Sequence, residues 1–218
     1  MATQLTSHGV TLYENELSKY KAKKTLLVIA PPNCRRDKFF TALALGIPVV
    51  HPDWLSDCFR RRDDIQVDYT RYLVPSGIGP RGLCNVQSSS STSLLDLSDL
   101  VIGLLEEGQE LSHGTELYIQ LATLCKATTI VCTSAVDFSK VDIILSNHFT
   151  DLCEQAVKMN IPVVHSEWLI QTIMSRVRLL YFSISLFISK SNYRKNNPRK
   201  IFIIFIWIIL QVMVRNYS

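Results

Sequence analysis

The sequence predicts an α/β fold built twice, each unit a small parallel sheet flanked by helices. Three observations predict it. The block "IPVVHPDWL" begins at residue 47 and returns as "IPVVHSEWL" at residue 161. Short apolar runs alternate with helical periodicity around both copies, the pattern that buries a parallel sheet between helices. The length of 218 residues suits two domains of roughly 80 to 100 residues, near the lower end of domain size, each gaining core by docking on the other.

The elements follow in order. "VTLY" at residues 10–13 reads as one strand. "KTLLVIAPP" reads as a buried strand over residues 26–30, closed by Pro31-Pro32. "RRDKFFTALALG" reads as a helix stopped by Gly46. "IPVVH" is a short buried strand, Pro52-Asp53 a turn, and "WLSDCFRRR" a helix whose cationic end suits the dipole. "DYTRYLVPSGIGPRGLCNVQSSSSTS" reads as a linker, flexible in its later half, where serines run from residue 88 to 91. In the second copy "LVIGLLEEG", "TTIVCT", "KVDIILSN" and "IPVVH" read as strands. "GTELYIQLATLCKA" and "FTDLCEQAVKMN" read as helices, and "SEWLIQTIMSR" as a helix opened by Ser166. The second copy is a complete β-α-β-β-α-β-α unit, and the first lacks the strand equivalent to "LVIGLLEEG". The expected division is a truncated first repeat over residues 1–65, a linker over 66–99, a second repeat over 100–175 and a tail over 176–218.

Charge and cysteines narrow the class. The formal net charge is +4, but from residue 177 on there are seven Lys/Arg and no Asp/Glu. Residues 1–176 therefore carry 16 basic and 19 acidic side chains, which argues against direct nucleic-acid binding by charge. The six cysteines show no zinc or CxxC spacing and suit a reducing compartment. The N-terminus has no apolar stretch of the signal-peptide kind. The tail from residue 176 contains no Asp, Glu, Gly, Ala, Cys, His or Thr. It reads as a membrane anchor, as a buried segment, or as translated AT-rich non-coding sequence. Against the anchor, residues 201–214 fall short of the roughly 20 apolar residues a span needs.

Several motifs invite chemistry. Trp54 and Trp168 hold matching places in the repeat and read as core anchors rather than stacking platforms. His51 and His165 are also matched and read as strand-end residues, with no partner at metal-ligand spacing. "GIGPRG" fits G-x-G-x-x-G literally, but Pro80 and the absence of a following helix argue against a dinucleotide site. No catalytic arrangement can be assembled, so neither an enzyme nor a cofactor is expected. "CRRDKFF" is the sharpest candidate. Arg35 and Lys38 are three apart at a helix start and would share one face. Cations there oppose the dipole unless an anion sits among them, so the stretch reads as a phosphate or carboxylate site, or as a solvated charge run. The matching stretch of the second copy, "NHFTDLCEQ", has no cation of this kind.

Two β-α-β-β-α-β-α units, each with a tryptophan in the last helix, resemble tandem BRCT domains. The resemblance runs from about residue 4 to 175 and is densest in "CRRDKFFTALALGIPVVHPDWLSDC", "YTRYLVPSG" and "IPVVHSEWLIQ". It implies a nuclear phosphopeptide-binding scaffold of the DNA-damage response. It places Lys38 on the family's phosphate-binding lysine and Arg35 on the arginine that grips the peptide main chain or a C-terminal carboxylate. The implied partners are a phosphorylated histone H2A-type tail and a p53-like protein, with no direct nucleic acid, and no membrane unless residues 201–214 are a genuine anchor. The strand missing from the first repeat is the one that supplies the Ser/Thr half of the family's pocket.

Overall fold

The computed structural model describes residues 26–60, 67–79, 82–85, 87, 94–105 and 114–179. The strand expected at residues 10–13, the serine run and the tail beyond residue 179 lie outside the described residues. The first repeat contributes β1 (Val28–Ile29), α1 (Asp37–Leu45), β2 (Val49–Val50) and α2 (Asp53–Arg60). A hairpin of β3 (Gly77–Gly79) and β4 (Gly82–Cys84) follows. The second repeat contributes β5 (Val101–Leu105), α3 (Thr115–Leu124), β6 (Thr128–Cys132), β7 (Ile143–Leu145), α4 (Asp151–Lys158), β8 (Val163–Val164) and α5 (Glu167–Ser175).

Its four strands lie in the order β6-β5-β7-β8, all parallel. Strands covered on both faces read as continuous apolar runs, and β7 is wholly buried. In the first repeat β1 pairs β2 in parallel, Val28 opposite Val49. Among the described residues this sheet has only those two strands. The strand read over residues 26–30 therefore shortens to two paired residues, and Ile29 is 40% exposed where its counterparts in β7 are buried.

α1 is apolar nearly all round. Phe39, Phe40, Thr41, Ala42, Leu43 and Ala44 are buried, the signature of a helix covered on every side. It packs on α3 and α5 of the second repeat and on β2 of its own. One continuous core thus runs through both repeats. Gly46 closes α1 in the left-handed region (φ 71°), and the Ile47 N–H donates to the Ala42 carbonyl at 2.9 Å. A Cβ on Gly46 would lie 2.7 Å from Leu94 Cδ2. Leu94 leads a docked segment in which Leu95, Leu97 and Leu100 are buried. Lys126 ion-pairs with Asp96 and Arg178 with Asp99 at its surface.

Several described residues of the 66–99 interval are docked on the repeats. Tyr69–Tyr72 form a 3₁₀ turn, and Leu73 bridges Val50 antiparallel. The Gln87 amide accepts from the Val49 N–H and donates to the Val74 carbonyl, both at 2.6 Å. The "GIGPRG" glycines serve a hairpin, with Gly77 opposite Cys84 and Gly79 opposite Gly82. Gly77 (φ 141°) admits α5 closely, since a Cβ there would sit 2.0 Å from Met174 Cε.

All six cysteines are free. Burial pushes the Cys125 thiol up to about 11, and burial plus the Asp137 charge does the same for Cys132.

Two outcomes follow. Gly46→Ala should destabilise the chain by about 1–3 kcal/mol, because alanine is strained at that φ and clashes with Leu94. A lowered urea midpoint is the readout, and an unchanged one counts against the close approach. In native buffer a thiol reagent should modify the half-exposed Cys34 and Cys84 first. Cys58, Cys125, Cys132 and Cys153 should react only on unfolding; rapid native labelling of Cys125 would contradict its burial.

Candidate functional site

α1 starts at Asp37, with Arg36 as its N-cap in extended backbone (φ −92°, ψ 154°). The Phe39 and Phe40 N–H groups both donate to the Arg36 carbonyl. This corrects the expectation that Arg35 and Lys38 share a helical face. Lys38 lies exposed in the first turn, and Arg35 lies before the helix, on the chain that leads into it. Asp37, in the same turn, has the sign favoured at that helix end.

From that position Arg35 leaves its own repeat. Its Nη2 donates to Glu167 Oε2 of α5 at 2.6 Å. Its guanidinium lies 5.5 Å from the centroid of the buried Phe40 ring. The Arg35 side chain is 48% exposed and that of Glu167 24%, so the pair sits at the rim of the repeat boundary. Glu167 Oε1 accepts from Gln171 Nε2 at 2.9 Å, one turn further along α5. The arrangement is a cationic helix start whose arginine is held by the neighbouring repeat. α4 of the second repeat starts differently: the Thr150 hydroxyl accepts the Cys153 N–H, and its first turn holds Asp151 and Glu154.

The two tryptophans take equivalent places. Trp54 is 9% exposed and Trp168 6%. Trp54 Nε1 donates to the Val67 carbonyl at 2.9 Å, and Trp168 Nε1 to the Leu179 carbonyl at 3.0 Å. Each indole is packed in the core while its one donor holds the chain that leaves the helix.

The histidines do something the sequence reading missed. His51 Nδ1 accepts the Asp53 N–H at 3.3 Å, and His165 Nδ1 accepts the Glu167 N–H at 3.1 Å. Each imidazole caps the helix that begins two residues later. Ser166 stands at the N-cap of α5, as its sequence position implies, but its hydroxyl donates to Asn147 Oδ1 at 2.5 Å and makes no cap bond. With the N–H held by histidine, the intervening residue is Pro52 in one copy and the buried Ser166, bonded to Asn147, in the other. Glu167 and Gln171 were also missed. For Glu167 the trace in the sequence is that the second block reads "SEW" where the first reads "PDW".

Among the described residues no three His, Cys, Asp or Glu side chains are grouped to hold a metal ion. Nor is any described helix long and apolar enough to cross a membrane.

Residues 4–59 match the family model of the BRCA1 C Terminus (BRCT) domain. No curated protein matches the chain. Among solved structures, the complex of Rtt107p with phosphorylated histone H2A is similar with a TM-score of 0.56 and 15% identity, over 81% of this chain and 80% of that one. A crystal structure of Rtt107p gives 0.52 and 17%, over 88% and 84%. The fold described above is that of tandem BRCT repeats.

One consequence is measurable by pH. Burial pushes the His165 imidazole's pKa down from its ordinary value, with the Glu167 carboxylate opposing and His148 reinforcing. The unfolded chain, with an ordinary imidazole near 6.5, then binds more protons than the folded one just below that pH. Stability should be full above about pH 6.5 and fall as pH drops towards the folded-state pKa, modestly because part of the residue is exposed. Asparagine caps helices well and does not titrate there. His165→Asn should therefore flatten the fall in urea midpoint between about pH 7 and 5 while leaving the midpoint at higher pH nearly unchanged. An undiminished fall would contradict the assignment.

Proposed function

We propose that the chain is a non-catalytic phosphopeptide-binding scaffold module of the nuclear DNA-damage response. The observation that carries this reading is Lys38 in the first turn of α1, beside an arginine fixed at the repeat boundary by Glu167. A helix N-terminus favours an anion through its dipole and its backbone donors, and an ammonium at that end adds a charge-assisted bond to phosphate. Lys38 pairs with the phosphate, and Arg35 grips the residues next to it. The fold supports the reading, because an Rtt107p structure of the same fold is described in complex with phosphorylated histone H2A. A phosphorylated histone H2A-type tail is accordingly the first partner to test. The resemblance of the "CRRDKFF" and "IPVVH" blocks to the C-terminal region of p53-binding protein 1 nominates a p53-like protein as a second.

A phosphate-independent docking module is the competing reading. It is favoured by the hairpin, where Ile78 and Leu83 stand directly opposite each other and are 62% and 60% exposed.

The full chain should be titrated with a fluorescent histone H2A-type tail peptide, with and without phosphate. The phosphorylated form should bind at least about tenfold tighter, the scale of one charge-assisted bond. Lys38→Glu should erase that difference. Equal affinities for the two peptides would end the phosphopeptide reading and leave the docking module.

A further inference from the structure

Unmet polar groups gather on α5 and at the start of the hairpin that lies on it. Among the described residues, four buried side-chain polar atoms have no hydrogen-bond partner: Ser76 Oγ, Gln171 Oε1, Thr172 Oγ1 and Arg176 Nε. Gln171 and Thr172 belong to α5, and Arg176 is its C-cap. Ser76 leads into β3, its N–H donating to the Cys84 carbonyl at 2.7 Å. Ser76, Gln171 and Thr172 are only 1%, 9% and 0% exposed. A buried polar atom without a partner opposes the arrangement that buries it.

Little apolar burial offsets this. The hairpin meets α5 with its glycines, Gly77 against Met174 and Gly79 against the Gln171 carboxamide. Its large apolar side chains, Ile78 and Leu83, are more than half exposed. An element held by few buried apolar contacts opens at lower cost than the core. Gln171 ties this seam to the first repeat. Its unmet Oε1 lies 3.7 Å from where a Cβ on Gly79 would stand. Its Nε2 donates to Glu167 Oε1 at 2.9 Å, and Glu167 Oε2 accepts from Arg35 Nη2 at 2.6 Å. Without the guanidinium, the Glu167 carboxylate is better served by water than by its place at the repeat boundary. Gln171 would then lie under the hairpin with neither end of its carboxamide bonded.

We infer that the β3–β4 hairpin is a latch with two positions, seated on α5 and lifted from it. The seated position and the Arg35–Glu167 pair stabilise each other through Gln171. The inference goes beyond the phosphopeptide reading and holds whether or not a peptide binds. Coupling of this kind is reciprocal and acts through the two-position element that both ends bias. Whatever draws Arg35 off Glu167 loosens the hairpin, and whatever steadies the hairpin steadies the pair.

Amide hydrogen exchange of the full chain, followed residue by residue, is the test. The amides of Ser76 and of the paired residues of β3 and β4 should exchange at least about tenfold faster than those of β5 and β7. Arg35→Met should speed the hairpin amides a further fivefold or more, about the low end of a coupling between sites, and leave β5 and β7 unchanged. Gln171→Met puts an apolar chain of similar shape in place of the unmet carboxamide. It should slow hairpin exchange, and in that background Arg35→Met should no longer speed it. Thermal melting confirms that each variant is folded. Hairpin amides that exchange only together with the core overturn the inference. So does an Arg35→Met chain whose hairpin exchange is unchanged, or rises only in step with β5 and β7. Faster hairpin exchange in Gln171→Met, or an undiminished effect of Arg35→Met in that background, overturns it as well.

Discussion

The burial of α1 between the two repeats is the constraint on which the rest of this structure depends. β2 of its own repeat covers one side, and α3 and α5 of the second repeat cover others. Among the described residues the sheet of the first repeat is the short parallel pair β1–β2, and so short a pair has little stability of its own. Its helix contributes the apolar surface that merges the first repeat into the core of the second. Because α1 is held from both sides, the residues that lead into it are held too. That is why an arginine on the approach to α1 can meet a glutamate 132 residues later at ion-pair distance.

The parts around this helix are arranged to let backbones come close. Gly46 admits Leu94, and Gly77 admits Met174, at distances no Cβ would tolerate. Both contacts bring the chain between the repeats against a helix. Where the sheet edge at Val49 would otherwise lack a partner for its N–H, the Gln87 side chain supplies one. The described residues between the repeats thus pack closely on both of them, and Gly77 meets the helix that carries Glu167.

The architecture was legible in the sequence because its signals are local. Apolar runs, helical period, Gly46 as a helix stop and the duplicated block all lie within a few residues of what they determine. The hairpin was hidden because its glycines match a phosphate-loop pattern and sit in a stretch rich in Pro, Gly and Ser, where composition suggests a loop. The imidazole caps were hidden because histidine is not among the residues ordinarily read as caps. The half of the candidate site that comes from Glu167 and Gln171 is set by tertiary packing across the repeats, and no periodicity announces such a contact. Only the one-methylene difference between Asp53 and Glu167 marked it.

The paired indole bonds give each repeat its own optical reporter. Trp54 donates to Val67 and Trp168 to Leu179, so each chromophore senses both the core around its ring and the docking of the chain that leaves its helix. Emission from an indole depends on solvent and on the dipole its N–H meets. The chain's third tryptophan, Trp207, emits in the same band, so each reporter is read with the other two tryptophans replaced. The duplication that built the fold twice thus placed one light-emitting ring at the exit of each of two helices.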